Sequence, residues 1–312
     1  MSLDIATREA YGKKLAALGE THPEIVVMDA DLSGSTKTNI FKKQFPERFF
    51  NVGVAEQNLM GTAAGIALSG HTVFVSTFAI FATGRAWEPV RQSIAYPKAN
   101  VKICATHAGI TVGEDGASHQ SVEDIALMSA IPGMKVMVPA DAHQTMSMMD
   151  YLVKTPGPAY LRLGRATTQQ VFDADYVYEE GKGAVLRDGT DVCLFTTGFV
   201  TKATLDAATR LEEKGVSASV VCMGSIKPID ADLIVAMASK HKVLFSVEEH
   251  SVVGGLGAAI SEVLTSQKPA RLFRLGIQDA FGQSAPYQEL IKHYELDEEG
   301  IARQVLGKLA AL

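Results

Sequence analysis

The densest gathering of reactive side chains lies between Cys104 and Asp124, in the run CATHAGITVGEDGASHQSVED. His107 and His119 bracket it, Glu114 and Asp115 sit between them, and Gly109, Gly113 and Gly116 punctuate it. The apolar run Val101–Ala105 ahead of it reads as a buried strand. Ser121 with Asp124 three residues on reads as a helix start. Titratable groups gathered where a strand gives way to a helix are what an open α/β sheet places in its ligand crevice. Two plainer readings stand beside a site: satisfied loop histidines, or a metal set. The metal reading lacks a pair at helical i, i+4 spacing and a third histidine close by. The glycines argue against a purely structural loop, since they serve unusual backbone angles or close approach of a ligand.

Other residues could complete such a site. Glu56 opens an apolar, small-residue helix after Val52-Gly53-Val54-Ala55. It is either a dipole partner for that helix or a buried acid able to share a proton with a ligand nitrogen. Phe78 and Phe81, at i, i+3 spacing, are ordinary core or one wall of a pocket for a flat heterocycle. Arg8, Ser35 and Arg165, far apart in sequence, could together bind a phosphate. The turn Gly254-Gly255-Leu256-Gly257 before a helix is a plain turn or an anion site.

The elements needed to bring these together follow an α/β rhythm. A helix over 4–20 is marked by Tyr11, Leu15 and Leu18 on one face. Strands are expected near 25–28, 72–75, 101–105, 135–138 and 159–161, with helices between, among them one over 78–93. This alternation predicts a parallel sheet covered on both faces. A polar, aperiodic stretch, 166–182, reads as a linker. Beyond it, strand candidates at 191–195, 217–222, 242–247 and 271–274 predict a second, smaller α/β unit. The division expected is 1–180 and 181–312, with the site in the first unit.

Bulk composition narrows the function. Hydrophobic residues make up 47% and charged residues 21%, the balance of a globular protein with a large core. A net charge of −6 argues against a nucleic-acid surface. Three cysteines in apolar runs suit a reducing, cytoplasmic setting. No apolar run approaches the ~20 residues of a membrane span.

Taken together, the motifs resemble the back part of a transketolase, the thiamine-diphosphate ketol-transfer family, over essentially the whole chain. Thr106-His107 and Gly113–Gln120 are similar to the family's TH…GEDGPTHQ loop, Gly53–Glu56 to its GVRE segment, and Ser76–Phe81 to its STFxxF segment. Ala6-Thr7-Arg8, Asp31–Ser35 and Leu163-Gly164-Arg165 resemble its cofactor-seating and phosphate-binding segments. Val247–Gly255 resembles part of its C-terminal domain. The family holds Mg²⁺ and the diphosphate with a Gly-Asp-Gly run and a later Asn, and this chain has no Gly-Asp-Gly and no Asn after Asn100. The resemblance therefore implies a pyrimidine-binding domain followed by a C-terminal domain. It makes the chain one subunit of a split transketolase in an α₂β₂ heterotetramer, whose partner chain carries the metal ligands. No metal ligand is assigned to this chain.

The resemblance also implies roles. Glu56 would hydrogen-bond the pyrimidine N1′, with Phe78 and Phe81 against the ring and Asp31 seating the cofactor. His107 and Asp115 would bind sugar hydroxyls, and His119, with His107, would act at the reacting oxygen. Arg8, Ser35 and Arg165 would hold a terminal phosphate, as in pentose phosphate metabolism. Three departures stand out. Gly84 falls where many transketolases have a third pocket aromatic, a loss Trp87 could make good. Ala55 replaces Arg, and Gln57 follows the glutamate, which is closer to deoxyxylulose-phosphate synthases. Such a synthase or a 2-oxoacid dehydrogenase β chain is the alternative within the superfamily. A metal-dependent hydrolase on His107, Asp115 and His119, or a non-catalytic paralogue, is the alternative outside it.

Overall fold

A computed structural model describes residues 3–312. Strands β1 (Ile25–Asp29), β2 (Phe49–Asn51), β3 (Thr72–Ser76), β4 (Val101–Ala105), β5 (Lys135–Met137) and β6 (Ala159–Arg162) belong to the first sheet. They are followed by β7 (Ala184–Arg187), β8 (Val192–Thr196), β9 (Ala218–Cys222), β10 (Ser225–Lys227), β11 (Val243–Ser251) and β12 (Arg271–Ile277). The first sheet runs in the order β10-β5-β6-β4-β3-β1-β2, and the second in the order β12-β11-β8-β9-β7. Every residue of β1, β3, β4 and β6 is buried. Helices on both faces of a parallel sheet produce that pattern, and it explains why these strands read as continuous apolar runs.

Lys102 is one of the charged exceptions within those runs, with Asp29 and Arg162 at strand ends. Its Nζ donates to the carbonyls of Thr155 and Gly157 at 2.6 and 2.7 Å, beyond the end of helix Ala142–Lys154. Burial, with Lys135 nearby, pulls its pKa down to about 7.

Four expectations are revised. First, the leading sheet is not purely parallel, because β10 from the second half of the chain joins its edge antiparallel to β5. Second, the stretch 166–182 is a packed strap rather than a loose linker. Phe172 and Tyr178 are buried along it, and Asp141 Oδ2 accepts from the amides of both Val171 and Phe172 at 2.7 Å. Third, Ser121 does not cap a helix: helix Asp124–Ser129 follows Glu123 with no side-chain cap, and Asp124 is turned inward. Fourth, the helix expected over 78–93 is interrupted, with π-helical turns at Phe81–Arg85 and Val90–Ala95 about a short α-turn, Trp87–Pro89. Such widened turns recur at functional sites because they re-aim side chains that a regular helix would stack. Among the described residues, no helix is long and apolar enough to cross a membrane.

Candidate active site

The predicted residues converge at the carboxyl ends of the central strands. Asp31 and Ser35 follow β1, Phe78 and Phe81 follow β3, the His107–His119 loop follows β4, and Arg165 follows β6. These four strands are neighbours in the order β6-β4-β3-β1, so their trailing loops line one crevice. The backbone locks two of the loops together. Thr106 N–H donates to Thr77 at 3.1 Å, and Ala79 N–H donates to Thr106 at 2.7 Å.

At one end of the crevice lies Glu56, first residue of helix Glu56–Leu68 and only 3% exposed. Its Oε1 accepts from Arg85 Nη1 at 3.0 Å, and the Arg85 guanidinium lies 4.6 Å from the centre of the Phe81 ring. Phe81 and Phe78 are nearly parallel, 14° apart in plane with centroids 6.0 Å apart. A buried carboxylate beside parallel rings is the chemistry that a flat, protonatable heterocycle requires. Arg85 escaped the sequence reading, because nothing local links it to an acid 29 residues away. The indole N–H of Trp87 is tied to the Leu127 carbonyl at 2.9 Å.

In the middle sit the two histidines. The His107 ring stacks on Phe78 at 3.8 Å, and its backbone is held in the left-handed region (φ 58°). Its Nδ1 lies 2.8 Å from Thr106 Oγ1 and its Nε2 lies 3.4 Å from Arg8 Nη1. Arginine can only donate, so Nε2 is the acceptor and Nδ1 carries the proton. Burial, followed by the charges of Arg8 and Arg165, pulls the His107 pKa down to about 3. His107 is therefore a neutral hydrogen-bonding group at physiological pH. His119 stands edge-on to Phe81 at 5.4 Å and to Phe78 at 6.2 Å, with its Nδ1 3.0 Å from Ser118 Oγ.

At the other end are the arginines. Arg8 lies in the first turn of helix Thr7–Thr21, where a cation opposes the helix dipole. Its Nη1 donates to the Ser35 carbonyl at 2.9 Å, so it is the backbone of Ser35, not its hydroxyl, that orients it. Burial and the facing Arg165 lower the Arg8 pKa, and its Nε is buried without a partner. Arg165 reaches Asp115 at 3.6 Å and Glu114 at 3.7 Å, and donates to the Val112 carbonyl. Two facing arginines and an orphaned N–H form a pocket complementary to an anion. Lys37, unremarked in the sequence, adds to the positive field at His107. Asp31 is exposed, in the left-handed region (φ 65°), and is pinned by Asn51, whose Nδ2 donates to its carboxylate at 2.8 Å. Among the described residues, no group of three or more His, Cys, Asp or Glu side chains is disposed to hold a metal ion.

The helix starting at Leu256 is not an anion site. Glu248 supplies the anion internally, accepting from the amides of Leu256 and Gly257 at 2.6 and 2.8 Å.

The chain resembles known proteins over nearly its whole length. The family model for the transketolase pyrimidine-binding domain matches residues 4–170, and that for the transketolase C-terminal domain matches residues 181–301. A Methanocaldococcus jannaschii protein named as a transketolase C-terminal section is 49% identical, covering 97% of this chain and 96% of its own. One of the chains of an apulose-4-phosphate transketolase from Phocaeicola vulgatus is 38% identical, covering 97% of each sequence. Among solved structures, a split-gene transketolase described as an inactive β₄ tetramer superposes with a TM-score of 0.91 at 51% identity, over 98% of this chain and 99% of that one. The chain belongs to the transketolase family. It is of the split type, a C-terminal subunit of a transferase whose family depends on thiamine diphosphate.

Proposed function

We propose that this chain, joined to a separate chain bearing the diphosphate and Mg²⁺ ligands, transfers a two-carbon ketol unit between sugar phosphates. The observation that carries this reading is the polarity of the crevice. A buried acid beside parallel rings lies at one end, and a facing arginine pair with a partnerless Arg8 Nε lies at the other, joined by the Phe78–His107 stack. When bound, thiamine diphosphate supplies the carbanion chemistry that protein side chains lack. Glu56 would hold the ring nitrogen of the pyrimidine, and Phe78 and Phe81 would wall the ring. Asp31, pinned by Asn51, seats the cofactor beside them.

On the sugar side, Asp115 and neutral His107 bind hydroxyls, and His119 moves the proton at the reacting oxygen. Arg8 and Arg165, with Ser35 and His107 around them, grip the terminal phosphate and so align the reacting carbon. The name of the Phocaeicola relative, with its sugar 4-phosphate, supports a phosphorylated substrate. The absence of Gly-Asp-Gly supports the need for a partner, and the names of relatives as sections or subunits support a hetero-oligomer, for which α₂β₂ is the expected form. The units proposed are 1–180 for the pyrimidine and 181–312 for the C-terminal domain.

The test is the phosphate. In the assembled enzyme, Arg8→Ala should raise KM for a phosphorylated ketose by about 10- to 100-fold while leaving the slow turnover of the unphosphorylated sugar unchanged. An equal loss on both sugars would remove Arg8 from the phosphate site.

A further inference from the structure

The three glycines of the His107–His119 loop each lie against the second domain, and Gly113 lies near Arg165 of the crevice as well. A Cβ on Gly109 would lie 2.3 Å from Glu249 Oε1; one on Gly113 would lie 3.5 Å from the Ala285 carbonyl, and one on Gly116 would lie 3.3 Å from Ser284 Cβ. Gly109 combines this close approach with φ +79°, so both space and backbone require glycine there. Glu249, on β11, is 3% exposed and accepts the Thr111 N–H on Oε1 at 2.6 Å, 138 residues away in sequence. Its own carbonyl accepts from Arg162 Nη2 at 3.0 Å, and the same nitrogen reaches the Ser121 carbonyl at 3.3 Å. The Ser121 carbonyl also accepts the Gly109 N–H at 2.8 Å, which closes a ring around both ends of the loop. Further out, Ser284 Oγ donates to the Glu114 carbonyl at 2.6 Å, and Gln120 Nε2 donates to the Gln283 carbonyl at 2.8 Å.

We propose that Glu249 is a positioning residue for the transfer reaction: through Thr111 the second domain fixes the loop that presents Asp115 and His119 to the sugar. The kinetic part rests on the ketol-transfer reading given above. A carboxylate is a demanding way to join two domains, because a buried charge loses its hydration and must recover it from donors. Apolar side chains would bury the same area without that cost. What a carboxylate adds is direction, since its bond to one amide sets the loop's height over the crevice. Reacting groups misplaced by about 1 Å can lose ~10²-fold in rate.

The experiment has two arms. In the isolated chain, hydrogen exchange followed on peptides spanning 108–120 should quicken about tenfold or more in Glu249→Ala, the loss of roughly one buried hydrogen bond. Peptides covering β1 and β3 should not change. Glu249→Gln keeps an acceptor oxygen and should exchange like wild type. Ser284→Ala, an outer contact that spares the core, should give a smaller rise in the same peptides and serves as the probe if Glu249→Ala does not fold. With the partner present, Glu249→Ala should lower kcat/KM for the phosphorylated ketose by ~10²-fold without weakening thiamine diphosphate binding, and Glu249→Gln should restore it to within a few-fold. Unchanged exchange of the loop in Glu249→Ala, or a Gln variant as impaired as Ala, would overturn the proposal. If the wild-type pair shows no ketol transfer, the functional reading falls, and the exchange arm alone decides whether Glu249 braces the loop.

Discussion

The crevice and the seam between the two domains are both built from charged residues, but their charges are left in opposite conditions. In the seam, Asp124 is wholly buried and accepts from Tyr160 at 2.6 Å and Arg162 at 2.7 Å. Glu248 takes two amides and Glu249 one, so each buried carboxylate has a donor supplied by the fold, although the second oxygen of Asp124, Oδ1, is left without a partner. In the crevice, Arg8 and Arg165 face one another, one with an orphaned N–H and the other spread over half-exposed carboxylates at 3.6 and 3.7 Å. Matched charges hold a structure together. Unmatched charges kept close together imply a ligand that supplies the missing sign.

That contrast can be broken from either side. The largest effect is expected at Glu56, the acid of the crevice. With the partner present, Glu56→Ala should lower kcat by about 10²- to 10⁴-fold in steady-state assays. A rate within a few-fold of wild type would reduce Glu56 to a dipole partner of its helix. In the seam, Arg162→Met should destabilise the fold by about 3–5 kcal/mol, because Asp124 is left buried and uncompensated. Urea unfolding monitored by circular dichroism measures this, and a loss below about 1 kcal/mol would place the pair among ordinary surface ion pairs.

The smallest effect is a pH dependence. Burial holds His107 near 3 against an ordinary 6.5, so between those values the unfolded chain binds the proton and the folded chain does not. Its contribution to stability is complete above about 6.5 and is lost progressively as the pH falls toward 3. The stability gap between wild type and His107→Asn should therefore narrow from pH 7 to pH 4 in unfolding titrations. A gap that stays constant or widens would mean that His107 is protonated in the folded protein.

Much of the site was legible in the sequence because its chemistry is carried by short, contiguous motifs. The His107–His119 loop, Glu56 and the Phe78–Phe81 pair each sit at the end of a strand or the start of a helix, where period and composition change. What lay beyond reading was whatever depends on pairing across long separations. Arg85 reaches Glu56 from another turn, Asn51 pins Asp31, and Glu249 meets Thr111 from the second domain. The glycines were read as serving unusual backbone angles or close approach of a ligand; all three take positive φ, and each lies against the second domain. Among the fold elements, β10 is three residues long and borrows its stability from β5, so no periodic signal marks it. The strap over 166–182 looks polar because its two buried aromatics, Phe172 and Tyr178, are too far apart to form a pattern.

The central claim is that this crevice is one half of a site. Its most direct test is ketol transfer between two sugar phosphates, with thiamine diphosphate and Mg²⁺, by the purified chain alone and after mixing with a chain carrying the Gly-Asp-Gly…Asn motif. No transfer is expected from the chain alone, and full turnover is expected on mixing. Full turnover from the chain alone would contradict that claim.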